Sequence, residues 1–343
     1  VLNGSQLSSL TTENLALLAT DEVAAITNAA LSTLATESLA ALTTTQVEAL
    51  KTSQVAVLGS SQLSAMTTEQ VGSFTSTQLA AFTTGAIAGL GTDKIGGLTS
   101  EQMGTLTSRF VTALTSEQID ALTSEQVEGL TTAQAAALTS GQVLALKSDD
   151  LALFTSDEIA ALSTSAVTGL STDYLAELSS EVGAALTSRQ VAALKTDQIA
   201  ALGSDQLGYL STEGVAAMTS AQIAAIGSGA IAGLSTNQIM ALNARFVGAL
   251  QSEQIQAMST DQIEALSSAQ VASLDSNDIG ALSSEQISTF STDDMAAISV
   301  AAIKGLTTEN VEGLSSEQVR ALSTNQIQAL QDSDVIAQII AAY

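Results

Sequence analysis

Three acidic pairs come nearest to a chemical site in this sequence: Asp149-Asp150, Asp293-Asp294 and Asp332-Ser333-Asp334. Carboxylate oxygens side by side are the hard donors that calcium takes. None of the pairs lies in a loop with the spacing and glycine of a calcium motif, so solvated acids at helix starts are expected instead of a metal site. Gly89-Leu90-Gly91 lacks the third glycine and the preceding strand of a dinucleotide site. Asn3-Gly4-Ser5 is a formal glycosylation sequon, and no phosphate-binding loop is present. The chain has no Cys and no His, which excludes thiol or imidazole catalysis, zinc held by those ligands, and disulfides. No nucleophile and base can be paired, so neither an enzyme nor a cofactor is expected.

Composition narrows the partners. Nine Lys and Arg against 35 Asp and Glu give a net charge of −26, which repels a phosphate backbone or an anionic lipid surface and excludes nucleic acid as a partner. No run of 18 apolar residues exists, so membrane insertion is not expected. The sequence opens on Val1 without a basic start and an apolar stretch, as a processed or excised product would, with any targeting signal outside it.

These side chains are positioned by a period of eight. Apolar residues stand at Leu2, Leu10, Leu18, Ile26 and every eighth position to Leu330, giving 42 octads without an insertion. A second apolar register runs from Leu7 to Val335, interrupted only at Ala135 and Gly183. With the first register as position 1, the consensus is Leu-Thr-Ser-Glu-Gln-Ile-Ala-Ala. Position 3 is Ser or Thr in 37 of 42 octads, the others being Gly4, Asn28, Ala244, Val300 and Asp332, and it is read as a helix N-cap. Position 4 is acidic in 21 octads, where a helix dipole favours negative charge, and position 5 is Gln in 22. Positions 6 and 1 are three apart, on one face of a helix.

A continuous helix drifts about 80° per octad and cannot keep such a stripe on one side. The chain must break at each cap into very short helices that are unstable alone and bury their Leu and Ile against other octads. The fold class expected is all-α: one continuous solenoid over 1–343, comprising the octads of 2–337 and a short apolar segment 338–343. A β-solenoid is the alternative, favoured by Thr, Val and Ile but not by the cap, acid and Gln columns. In the helical coil, Leu194 and Ile199 are core, Thr196 is a cap, Gln198 points outward, and position 8 is crowded. Rows of Thr interleaved with carboxylates do not give the flat hydroxyl array of an ice-binding surface.

Irregular octads are read either as neutral drift within a tolerant repeat or as places where the coil lies against something. Five replace the acid and Gln by small residues, around Ala30, Ala86, Ala166, Ala230 and Ala302. Four carry a bulky position 5: Phe110 and Phe246, each after an Arg, with Tyr174 and Val182. Either a later turn of the coil or a neighbouring chain covers such positions, and an outward Phe beside Arg favours the neighbour. Arg-Phe-Val recurs after 136 residues, a sign that a block of 17 octads was duplicated. Past Val335 the register fails, leaving Ile336, Ile339, Ile340 and Tyr343 as a sticky surface for end-to-end docking.

The octads Leu114-Thr115-Ser116-Glu117-Gln118-Ile119 and Leu194 to Ala201 resemble the octapeptide arrays of very large secreted proteobacterial proteins, often called adhesin-like or haem-utilisation-like. The resemblance covers nearly the whole chain. It implies a bacterial, extracellular or cell-surface structural repeat protein. The residues give a haem role no support, having no His or Cys for the iron. The function expected is a homopolymeric filament or surface-fibre subunit. The alternative is an adhesin stalk or scaffold with a protein or glycan ligand.

Overall fold

A computed structural model of the chain describes residues 4–342. Among these the chain forms forty short α-helices and two 3-10 helices, and no strand. The architecture is the all-α solenoid, and the β alternative is excluded.

Each octad breaks without any special residue. No described residue has a positive φ. The helix ends between positions 6 and 8, and positions 1 and 2 return to extended backbone, as Leu106 (φ −66°, ψ 148°) and Thr107 (φ −70°, ψ 151°) do between Ser100–Thr105 and Ser108–Ala113. The amide of position 1 still bonds back to the carbonyl of position 6, as Leu122 does to Ile119 at 3.1 Å, so the last turn closes tightly before the chain straightens. Extended φ and ψ suit any L-residue, and this is why a chain without proline can turn at every octad.

The cap lies one residue earlier than the Ser/Thr column at position 3 had indicated. Position 2, Ser or Thr in 28 octads, is the N-cap. Thr115, for example, accepts from the Gln118 amide at 3.2 Å. Position 3 is the first helical residue. Thr196 therefore opens the helix Thr196–Ala200, and its cap is Lys195, which makes no side-chain cap bond. Asp332 is an exception that does cap from position 3, accepting from the amides of Asp334 and Val335.

The chain divides into two compact units, 1–169 and 170–343. Within each, a helix packs on the helix three octads away, as Thr36–Ala40 does on Ser60–Ala65 and Ser188–Ala193 on Thr212–Ala216. Positions 1 and 6 fill the interior: Leu194 is 4% and Ile199 0% exposed. Each such burial stabilises the coil by about 1.5–3 kcal/mol, which no isolated helix of five residues could supply for itself.

The end of the chain departs from the expected boundary at 338. Octad 42 and the residues after it form one helix, Ser333–Ala342, the longest in the chain. The residues 338–342, which offer no cap, give the backbone no reason to break.

Candidate functional site

The polar machinery of the molecule is inside it. Nineteen position-5 glutamines are buried, and the other three buried polar residues, Asp278, Asp294 and Asn310, also stand at position 5. Gln118 shows the geometry at 2% exposure. Its Oε1 accepts from the Thr115 amide at 2.8 Å, completing a capping box with the Thr115 hydroxyl. Its Nε2 donates to the carbonyls of Ile87 (2.9 Å) and Leu90 (2.8 Å), 31 and 28 residues earlier. The same pair of separations recurs at Gln54, Gln142, Gln222 and Gln254. One turn of the coil therefore takes between three and four octads. Gln198, expected to point outward, is 2% exposed and donates to Leu170 at 2.8 Å. The sequence signal was the spacing of Ser/Thr at position 2 to Gln at position 5, the S/T-x-x-Q of a capping box.

A second contact joins the turns at position 8. A Cβ on the position-8 glycines Gly89, Gly169, Gly233 and Gly305 would collide with Ser60, Ser140, Ser204 and Ser276, each 29 residues earlier. In these octads position 5 is Ala86, Ala166, Ala230 or Ala302, all buried. The same close approach occurs in octads that keep their amide, at Gly129 and Gly313 in the octads of Gln126 and Asn310, so it does not depend on the amide being absent. The coil itself, and not a neighbouring chain, buries these small residues. The two 3-10 helices, Ala166–Gly169 and Ala302–Gly305, stand at equivalent places of the 136-residue shift, so the duplication is visible in the backbone.

The residues expected to face other chains divide. Phe110 is 1% and Tyr174 5% exposed, so both rings lie in the coil's own interior. Val182 and Phe246 are half-buried. Ile339 is buried and Ile340 is exposed on Ser333–Ala342, while Ile336 is half-buried; Tyr343 lies outside the described residues.

The acids behave as helix-start charges. Glu13, Glu69, Glu117 and Glu125 are held below the ordinary glutamate value, first by a bond from their own backbone amide and then by the capping Thr hydroxyl. Lys94, 3.0 Å from Asp93, lowers that carboxyl in the same direction. Asp278 is pushed up by burial, opposed by the Asp275 amide and reinforced by the Asp275 charge. Of the acidic pairs, Asp294 is spent on the Ser291 cap and on the Ser268 hydroxyl one turn back, at 2.7 Å. No group of three or more candidate ligands for a metal ion occurs among the described residues. The grooves between turns are open, such as one of about 500 Å³ at Ser204, Asp205, Gly208 and Tyr209.

Fold and interior together define a tandem octapeptide-repeat α-solenoid. The ALTTAQ repeat profile matches residues 47–76, 73–108, 111–148, 184–212, 247–276, 260–292, 271–308, 287–324 and 303–337, more than half of the chain. The chain belongs to the ALTTAQ repeat family. No curated protein matches it.

Proposed function

We propose that this chain is a structural spacer, the stalk of a bacterial surface or matrix protein, whose repeats hold distance and carry no chemistry. What supports the reading is where the hydrogen-bonding capacity goes: each buried Gln amide is spent on the preceding turn of the same chain. The large apolar residues left exposed, among them Leu17, Leu144 and Met240, are few. Secretion is supported by the resemblance to secreted octapeptide arrays and by the absence of Cys. No described helix is long and apolar enough to cross a membrane. With neither Cys nor His in the sequence, the reading assigns no catalysis.

The second reading is a filament subunit, favoured by the exposed Ile340 and half-buried Phe246. Light scattering and electron microscopy of the purified chain over a wide concentration range distinguish the two. The spacer gives a monomeric particle throughout. Fibres that vanish in the Phe246→Gln or Ile340→Gln variant would establish the subunit instead.

A further inference from the structure

We infer that the coil is a reversible extensible tether, which under tension releases one octad at a time. Three observations carry this. First, the bonds that shape each mini-helix are local: Thr115, Gln118 and the amides between them complete one cap, and Leu122, the first residue of the next octad, closes the far end on Ile119. Second, the polar attachment of that octad to the turn before it is a single side-chain amide, Gln118 Nε2 on the carbonyls of Ile87 and Leu90, with Ile119 and Leu122 buried beside it. Third, this attachment reaches no further than 31 residues back. Detaching the outermost octad therefore breaks one amide fork and uncovers two apolar side chains while every cap deeper in the coil stays closed.

This is the mechanics of a one-dimensional stack, in which each unit leans only on near neighbours. A released octad does not persist as a helix, because five residues are too few. It becomes eight residues of extended chain, which span about 28 Å. Re-docking restores the same fork. The sequence has no Pro and no Cys, so neither prolyl isomerisation nor thiol exchange delays the return. Reversible give under load is a function distinct from holding distance. Its biological use rests on the spacer reading above, whereas the property belongs to the single chain and is measured without reference to assembly.

The test is a force-extension measurement on the full chain, held through handles on Ser5→Cys and Ser333→Cys, both exposed positions in a protein with no other cysteine. The expected trace lengthens in steps of eight residues or small multiples, and retraces on relaxation. The double variant Gln318→Leu, Gln326→Leu removes the forks onto Phe290 and Ile298. It lowers the release force of those octads and leaves the rest of the trace unchanged, so the same molecule reports whether the remainder is folded. A single rip that opens a whole unit at once would overturn the proposal, as would a release force at those octads indifferent to the loss of both amides. Fibre formation in solution would sink the spacer reading and leave this result standing.

Discussion

Gln198 is one residue at which the inward direction of position 5 can be measured. Gln198→Leu keeps the volume but leaves the Leu170 carbonyl and the Lys195 amide without their side-chain partners. Each buried group so orphaned costs about 1–3 kcal/mol, so urea unfolding shows a loss of about 2 kcal/mol or more. Thr196→Ala, at the first helical position, shifts the midpoint by only a few tenths of a kcal/mol, below the roughly 1 kcal/mol of a true cap. Tyr174 gives a pH signature. Burial pushes its phenol up to about 12, whereas an unfolded tyrosine ionises near about 10. Its contribution is complete below the lower value and is lost as pH rises through the upper one, since the unfolded chain gives up the proton first. Unfolding free energy measured between those limits falls by about 1.4 kcal/mol per pH unit, and Tyr174→Phe removes that slope.

At the scale of the element, much of the fold was written in two columns. The apolar registers gave the helix, the break in every octad and the core, and the crowding of position 8 is real at Gly169 and Gly305. What was not legible was which way the polar columns face. Position 3 holds more Ser and Thr than position 2, yet the cap is set by where the backbone turns extended, which composition alone does not reveal. Phe110 misled for the same reason, because a ring beside Arg109 looks like an anchor until the neighbouring column is known to be buried. The contrast between an acidic position 4 and a mostly uncharged position 5 was the available clue. Two variants measure these elements. Leu194→Asp places a charge in the core and costs about 3 kcal/mol or more by chemical denaturation. Gly233→Ala drives a methyl into the Ser204 carbonyl and lowers stability by about 1–3 kcal/mol, while Gly229→Ala, with open space around it, is neutral or better.

For the whole molecule, a charge of −26 means that the acids repel one another along every face. The Lys94–Asp93 and Lys147–Asp120 pairs relieve it locally, the second at 3.3 Å on an exposed face. Melting temperature therefore rises with sodium chloride as screening shortens the reach of that repulsion, and a melt insensitive to salt would show the charges to be too dispersed to matter. The glutamine forks have a direction as well as a length. Gln54, Gln118, Gln222 and Gln326 each donate to carbonyls that precede them in the chain. An octad thus finds its partners among residues already synthesised, and needs nothing that comes later to complete its fork. A chain that emerges amino end first, from a ribosome or through a narrow channel, can fold behind itself as it appears, with a search distance that stays the same however many octads follow. Lengthening such a gene by whole octads therefore adds reach without adding difficulty to folding.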